Sequence, residues 1–321
     1  MRAVQVTKLE GPESVELVEI PEPSPGPDEL TVDVAAAGLA FPDVLQTRGL
    51  YQLKPDLPFI LGTEVAGTVR TAPAGSGFAP GDRIAGLCFN KAMAEVATVA
   101  VEHAFRLPDA VSLEQGAGLL FNDLTVHFTL RLRARLAPGE TVLVHGAAGG
   151  IGVSTLRLAG ALGAGQVIAV VSDERKGEVA RAAGATDVVL VDGWLDRVRA
   201  ISDGVDIVVD PVGGDRFPDS LRSLRAGGRV AVVGFTAGEI PTVRVNRLLL
   251  NNVDVVGAGW GPWWTTHPGY LQEQWAELEP MFAAGAIRNL PLTTYPLERA
   301  AEALTAMDRR EVAGKVVLLM R

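Results

Sequence analysis

The sequence of 321 residues contains one cysteine and four histidines. One cysteine cannot form an internal disulfide, and this usage is typical of the reducing cytoplasm. A structural zinc site with four cysteines is excluded for the same reason. The histidines do not follow the spacing of metal ligands; they are His103, His127, His145 and His267. We therefore expect a cytoplasmic protein without a bound metal.

Long apolar segments and basic clusters are also missing. No uninterrupted apolar run is long enough to span a bilayer. The first residues, "MRAVQVTKLEGPE", carry charges where a signal peptide would be apolar. The net charge is −9 and no basic run offsets it, which argues against nucleic-acid binding. These absences predict no membrane partner and no nucleic-acid partner.

What remains is an ordinary globular composition, with 48% hydrophobic residues, 36 glycines and 20 prolines. Residues 1–120 form short β-rich pieces separated by glycine and proline, which predicts an antiparallel, partly barrel-like domain. Residues 121–260 alternate apolar strands with helical patterns, which predicts a doubly wound parallel sheet. Residues 261–321 contain two helical patterns and a closing strand, "GKVVLLM". We therefore predict an α/β cofactor domain at 121–260 and a second domain built from both ends of the chain.

The segment "TVLVHGAAGGIGVSTLRLAG" begins at Thr141 and combines an apolar strand, a glycine-rich turn and a helical pattern. This is the context of a dinucleotide-binding turn, in which glycines let the backbone approach a pyrophosphate and the helix start presents free N–H groups. Ala147 replaces the first glycine of the usual pattern, and a glycine-rich turn without ligand is the alternative. The predicted cofactor contacts are Ala147, Ala148, Gly149, Gly150, Ile151 and Gly152.

The next strand, "QVIAVV", ends before "SDERK", about 20 residues beyond the glycines, where such folds select the cofactor. Ser172 is small and neutral, and Arg175 and Lys176 could hold a 2′-phosphate. These residues favour NADPH. Asp173 leaves NADH open, because an acid here can bind a ribose hydroxyl. The polar residues could also serve only to cap and solvate the following helix.

Further segments, taken in order, resemble the medium-chain dehydrogenase/reductase superfamily and, within it, the zinc-free quinone oxidoreductases of the zeta-crystallin type. They are "AAGLAFPDVLQTRGLYQLKPDLPFILGTEVAGTV", "PGDRI", "LVHGAAGGIG", "RAAGATDVV", "DPVGGDRF", "GRVAVVGFTAGEIP" and "GKVVLL". The resemblance implies a GroES-like substrate domain first, an inserted Rossmann cofactor domain, and an active site in the cleft between them. It also implies hydride transfer from NADPH to a small quinone or α,β-unsaturated carbonyl, and a homodimer formed through the edge strand in "VDVVGAGW".

The resemblance also indicates where zinc-dependent relatives would bind their metal. In those relatives cysteine and histidine stand at the positions of Ala40 and Phe41, and a second histidine at the position of Thr63. None of the three residues here is a zinc ligand. Reduction of a conjugated carbonyl does not require a Lewis acid, since negative charge moves to an oxygen that hydrogen bonds can stabilise. Ala40 also replaces an asparagine that many relatives place near the nicotinamide end of the cofactor, so this chain departs from the family pattern there.

The same resemblance implies the roles of individual residues. Tyr51 would hydrogen-bond a substrate oxygen, with Asp43 as the second catalytic candidate, although Asp43 and Arg48 could instead form a structural ion pair. Tyr51 could equally be a surface tyrosine. Further predicted cofactor contacts are Asn122, Thr125, Val212, Gly234 and Phe235. The predicted substrate pocket contains Phe41, Tyr51, Trp260 and Trp263, and the alternative for the tryptophans is domain-interface packing.

Two other functions stay open at this point. One is reduction of an enoyl thioester, which would require a basic surface for a phosphorylated carrier. The other is a non-catalytic structural or regulatory protein that binds a nucleotide on the same fold, and the substitution at Ala40 is its best support.

Overall fold

The computed structural model describes residues 1–320. The strands of this range, β1 to β16 in chain order, are Arg2–Val6, Glu16–Glu19, Glu29–Gly38, Phe59–Ile60, Glu64–Thr71, Arg83–Leu87, Val96–Ala100, Ala104–Arg106, Thr141–Val144, Gln166–Val171, Asp187–Leu190, Val205–Asp210, Leu224–Val232, Asp254–Gly257, Leu292–Pro296 and Lys315–Leu319. The α-helices, α1 to α11, are Phe41–Gln46, Leu113–Gly116, Leu120–His127, Gly150–Ala161, Glu174–Ala183, Trp194–Ile201, Phe217–Ser223, Asn246–Asn251, Trp260–Trp264, Tyr270–Ala283 and Ala300–Asp308.

The chain divides into two compact units. The first contains residues 1–122 and 271–283 and the chain from 292 onward, and the second contains residues 123–270 and 284–291. The closing strand β16 pairs with β3, so the end of the chain completes the sheet that its beginning starts.

The first unit is built on two sheets. Three strands pair in the order β2-β1-β4, and the larger sheet runs β15-β16-β3-β5-β6-β8, with β7 also paired to β3. All pairs are antiparallel except β15 with β16, which is parallel because a helix connects these two strands. The β-rich character predicted from sequence is confirmed. The larger sheet does not close into a barrel within the described residues, so the barrel-like description holds only in its partial form.

The second unit contains a six-stranded sheet in the order β11-β10-β9-β12-β13-β14, and every neighbouring pair is parallel. The central strands are apolar and buried along nearly their whole length, as expected when helices cover both faces of a parallel sheet. The predicted doubly wound fold is confirmed. The strand order reverses between β9 and β12, and in such sheets ligands bind at the carboxyl ends beside that point.

A buried ion pair fixes the helix that follows the glycine turn. Arg157 on α4 donates to both carboxylate oxygens of Asp123 on α3 at 2.9 Å, and to the carbonyl oxygen of Arg288. Both charged side chains are buried, so removing either partner would leave an uncompensated charge in the interior. The pair therefore links α4 to α3 in the interior.

Candidate functional site

The glycine turn lies between β9 and α4. The space available for a side chain differs from one of its glycines to the next. A Cβ atom on Gly152 would clash with the carbonyl oxygen of Gly146, so only glycine fits the packing of helix against strand. At Gly149, the N-cap of α4, the backbone is extended and a Cβ would meet a single atom, the same oxygen, at 3.4 Å. Gly149 is therefore not required by packing. It leaves open space at the helix start, where a pyrophosphate would fit.

At the end of β10, the side chains of Ser172, Asp173 and Lys176 are joined by hydrogen bonds around the start of α5. Asp173 is the N-cap, and its Oδ1 accepts the Lys176 N–H at 2.9 Å. That hydrogen bond is the main reason why the pKa of Asp173 lies below its ordinary value. The Lys176 ammonium donates to Ser172 Oγ at 3.1 Å and lies 3.8 Å from Asp173 Oδ2. Ser172 Oγ in turn donates to Asp173 Oδ2 at 2.8 Å, so the three side chains form one hydrogen-bonded network in which Lys176 supplies the positive charge.

The loops after β12 and β13 meet the glycine turn. Asp210 ends β12, and its Oδ1 accepts the N–H groups of Val212 and Gly213 at 2.8 and 2.9 Å. A Cβ on Gly146 would lie 3.1 Å from Val212, and one on Gly213 would lie 3.0 Å from Phe235. The structure therefore brings three predicted cofactor segments together at the carboxyl edge. Sequence analysis did not identify Asp210, although an acid that ends an apolar strand before "PVGG" is a usable signal.

Gly234 follows β13, and a Cβ placed on it would lie 3.4 Å from the carbonyl oxygen of Pro211, so it also lies against the β12 loop. Arg175 lies in the first turn of α5 beside Lys176. Asn122 and Thr125 are buried on α3. Each position stays a predicted cofactor contact.

A buried histidine precedes the turn without taking part in it. His145 Nε2 lies 2.9 Å from Ser220 Oγ, and the ring packs edge-on against Trp194 with centroids 4.8 Å apart. Burial lowers its pKa to about 3, and the charge of Arg216 acts in the same direction. The imidazole is therefore neutral at physiological pH and contributes to packing rather than to acid–base chemistry.

In the first unit, Asp43 turns back on its own helix. Its Oδ2 accepts the Ala40 N–H at 2.7 Å at the start of α1, while its Oδ1 is buried without a hydrogen-bond partner among the described residues. Burial raises the pKa of Asp43 to about 7. The alternative of an ion pair with Arg48 is wrong. Arg48 follows the end of α1 and donates to both carboxylate oxygens of Asp308 on α11, a planar bidentate geometry that the helix-capping Asp43 cannot offer.

Tyr51 lies half-buried after α1, as does Phe41 at its start. No residue in the described part of the chain hydrogen-bonds the Tyr51 hydroxyl. Burial raises the pKa of Tyr51, and the charge of Asp43 raises it further. The phenol is therefore protonated at neutral pH and can donate a hydrogen bond to a substrate oxygen.

A second buried ion pair lies beside Asp43. Lys315 Nζ is 2.6 Å from Glu64 Oε1, and both side chains are buried. Glu64 Oε2 accepts the Phe121 N–H at 2.8 Å, in the first turn of the helix that carries Asn122. Sequence analysis missed Lys315. The sequence feature that could have indicated a buried lysine is its position at the start of a strand that is otherwise entirely apolar, "KVVLL".

The tryptophan-rich segment packs inside the second unit. Trp260 is buried, with its ring 5.9 Å from that of Trp264. Trp263 is half-buried and stacks on His267 with ring centroids 3.9 Å apart. Its ring is tilted against that of Phe128, with centroids 5.9 Å apart. These contacts explain the density of aromatic residues by packing. A role for Trp260 and Trp263 in substrate binding stays a prediction.

Comparisons with known proteins agree with this architecture. A model of the alcohol dehydrogenase GroES-like domain matches residues 26–109, and a model described as zinc-binding dehydrogenase matches residues 150–283. Quinone oxidoreductase-like protein 2 of Rattus norvegicus is 36% identical over 325 residues, covering 100% of this chain and 92% of that protein. The chain belongs to the medium-chain dehydrogenase/reductase superfamily, in its quinone oxidoreductase family. Membership identifies it as an oxidoreductase.

Solved structures of the family extend the likeness over the full chain. A probable oxidoreductase from Mycobacterium abscessus has a TM-score of 0.91 at 39% identity, covering 99% of this chain and 98% of that one. The quinone oxidoreductase of Thermus thermophilus, also solved with NADPH, has a TM-score of 0.85 at 32% identity, covering 100% of both chains. CurK enoyl reductase has a TM-score of 0.87 at 25% identity, covering 100% of this chain and 99% of that one.

The zinc named in one family description does not fit the residues present here. Ala40, Phe41 and Thr63 offer no ligand of the kind that zinc prefers, and the carboxylate that follows Thr63 in the sequence, Glu64, is bound to the Lys315 ammonium. No group of three or more potential ligands among histidine, cysteine, aspartate and glutamate occurs within residues 1–320. This chain therefore departs from the zinc-dependent members of its superfamily. No helix in the same range is both long and apolar enough to cross a membrane.

Proposed function

We propose that the protein is an NADPH-dependent reductase that transfers hydride to a quinone or an α,β-unsaturated carbonyl without a metal. The observation that carries the proposal is the Lys176 ammonium, held by Ser172 Oγ at the end of β10, together with a turn that is open at Gly149. A 2′-phosphate needs donors at this strand end, and a pyrophosphate needs free backbone N–H groups at the helix start. Both positions follow the carboxyl ends of two neighbouring parallel strands, β9 and β10, which supports the proposal.

Within this proposal the cofactor supplies the hydride when it is bound. The backbone N–H groups of Gly150 and Ile151 at the start of α4 would bind its pyrophosphate, and Lys176 with Ser172 would bind the 2′-phosphate. The Gly149 N–H is already donated to the Gly146 carbonyl oxygen at 2.9 Å. Tyr51 donates a hydrogen bond to the substrate oxygen, on which negative charge develops as hydride reaches the carbon. The raised pKa of Tyr51 keeps the donor protonated at neutral pH.

The testing experiment follows NADPH oxidation with a simple quinone and a simple enone, before and after treatment with a metal chelator. We expect turnover that the chelator does not change, and about tenfold lower turnover in Tyr51→Phe, the scale of one hydrogen bond to developing charge. Loss of turnover with chelator would contradict the metal-free mechanism. NADPH binding without turnover of either acceptor would favour a non-catalytic nucleotide-binding protein.

A second candidate, reduction of an enoyl thioester, is favoured by the likeness to CurK enoyl reductase. The same assay with an enoyl-N-acetylcysteamine thioester separates the two. We expect a higher kcat/KM for the quinone or the free enone, and a higher value for the thioester would reverse the assignment.

We further propose a cytoplasmic homodimer that forms through β14. This strand is at one end of the six-stranded sheet, and its residues are largely exposed. The neighbouring helix α8 exposes Leu249 by 77% and Leu250 by 73%. An uncovered strand edge beside an exposed apolar helix is a surface that a second copy would bury. The cytoplasmic assignment rests on the single cysteine, Cys88.

A further inference from the structure

A buried carboxylate holds the loop that follows β12. Asp210 is the last residue of this strand and is only 1% exposed. Its Oδ1 accepts the N–H groups of both Val212 and Gly213, at 2.8 and 2.9 Å, while its Oδ2 is buried without a hydrogen-bond partner among the described residues. Burying a carboxylate costs free energy unless hydrogen bonds compensate for the lost water. At Asp210 those hydrogen bonds go to the backbone of the following loop.

That loop is joined to the loop that follows the neighbouring strand, β13. We call residues 211–214 the β12 loop and residues 233–239 the β13 loop. Three backbone hydrogen bonds of 2.9 to 3.2 Å connect the two loops, and they run from the Thr236 N–H to Pro211, from the Ala237 N–H to Val212 and from the Gly214 N–H to Glu239. The two loops therefore form one hydrogen-bonded unit, which Asp210 fastens to the end of β12.

Close packing also couples the two loops. Gly213 and Gly214 have φ angles of 67° and 72°, in the region that favours glycine. A Cβ on Gly213 would lie 3.0 Å from the Phe235 ring, and one on Gly214 would lie 3.1 Å from the Ala237 Cβ. Because the backbones approach so closely, a displacement of the β12 loop must displace the β13 loop with it.

The order of the strands relates these loops to the proposed cofactor site. β9, which leads into the glycine turn, lies between β10 and β12, and β13 lies beyond β12. If the 2′-phosphate binds at Lys176 after β10 and the pyrophosphate binds at the turn, the other half of the dinucleotide must extend over the carboxyl ends of β12 and β13. The β12 loop borders the turn directly, since a Cβ on Gly146 would lie 3.1 Å from Val212.

We propose that Asp210 is a positioning residue, which holds the β12 and β13 loops in the conformation that binds the nicotinamide half of the cofactor. The inference rests on the proposed function, which supplies the cofactor. Asp210 is buried and acts through the two N–H groups that it accepts. A loop that is ordered before binding loses less conformational freedom when the ligand arrives, so its order contributes to affinity.

The test compares dissociation constants for NADPH, NADH and 2′,5′-ADP, a fragment that carries the phosphate-bearing adenosine half alone. Asp210→Ala should weaken NADPH and NADH by a similar factor, about tenfold, because both contain the nicotinamide half. Binding of 2′,5′-ADP should change by less than about twofold. Asp210→Asn keeps an oxygen that can accept both N–H groups, so it should restore most of the affinity.

Asp206 offers a matched control on the same strand. Its Oδ2 accepts the Thr141 N–H at 2.8 Å and so links β12 to β9 at their amino ends, on the edge of the sheet away from the loops. Asp206→Ala should lower the melting temperature without changing any of the three dissociation constants. Equal weakening by Asp206→Ala, weakening of 2′,5′-ADP together with NADPH in Asp210→Ala, or unchanged affinities in folded Asp210→Ala would overturn the proposal.

A second measurement needs neither cofactor nor variant. Amide hydrogen exchange of the wild type, followed by mass spectrometry, should be slower in peptides that cover 211–214 and 233–239 than in the turn at 73–77. Exchange as fast as in that turn would show that the loops are not ordered before binding, and would overturn the proposal even if Asp210→Ala does not fold. If wild type binds neither NADPH nor NADH, the proposed function fails and the role of Asp210 towards the cofactor fails with it. Wild-type binding that Asp210→Ala leaves intact refutes the positioning role alone.

Discussion

Gly149 and Gly152 lie three residues apart in one turn, but the structure gives them different roles. A side chain at Gly152 has no room, whereas one at Gly149 would fill only the space proposed for the pyrophosphate. We expect Gly149→Val to lose NADPH binding with an unchanged circular dichroism spectrum, and Gly152→Ala to lower the melting temperature. Fluorescence titration with NADPH checks the first variant. Unchanged affinity in folded Gly149→Val would show that the cofactor binds elsewhere.

Lys176 decides the cofactor preference under the same proposal. A charge-assisted hydrogen bond contributes roughly 1.5–3 kcal/mol, so Lys176→Ala should weaken NADPH by about tenfold to a hundredfold and leave NADH nearly unchanged. Lys8→Ala, which removes an exposed lysine of the first unit, serves as the control and should change neither. Dissociation constants for both cofactors provide the measurement. Equal weakening of both would assign Lys176 a structural role instead.

At the scale of elements, α5 is capped at both ends, by Asp173 at its start and by Gly184 in the left-handed conformation at its end. Replacing an N-cap aspartate by alanine typically costs about 1 kcal/mol. We expect Asp173→Ala to lower the free energy of unfolding by about that amount, Asp173→Asn to restore most of it, and neither to weaken NADH selectively. Denaturant unfolding and NADH titration test this. Selective loss of NADH would mean that Asp173 binds the ribose.

At the scale of the whole molecule, the six-stranded sheet ends in β14 on one side and β11 on the other. Val255 on β14 is 36% exposed and Leu190 on β11 is 44% exposed, so the two edges offer a matched comparison. A lysine on an edge strand discourages pairing with another chain. We expect a wild-type dimer by light scattering, a monomer for Val255→Lys, and a dimer for Leu190→Lys. A wild-type monomer, or dissociation by Leu190→Lys alone, would contradict the proposed interface.

The sequence by itself determined the class of fold and the place of the glycine turn that we propose binds the cofactor. Continuous apolar strands such as Thr141–Val144 alternate with helical patterns, and this local order is sufficient to predict a parallel sheet. The glycine turn and the residues from Ser172 to Lys176 are likewise local, because each depends on a few adjacent positions. The expectation about zinc was different in kind, because only the family resemblance marks Ala40 and Thr63 as positions where relatives carry ligands.

Only the tertiary structure decided which distant charges meet. Lys315 and Glu64 are 251 residues apart, and neither alone indicates a buried ion pair. The partner of Arg48 could not be predicted either. The nearest acid in sequence, Asp43, accepts a hydrogen bond at the start of its own helix, whereas the actual partner, Asp308, lies far along the chain on α11. Desolvation depends on what packs around a group from all sides. The buried Oδ1 of Asp43, which has no hydrogen-bond partner among the described residues, is therefore a property of the folded chain.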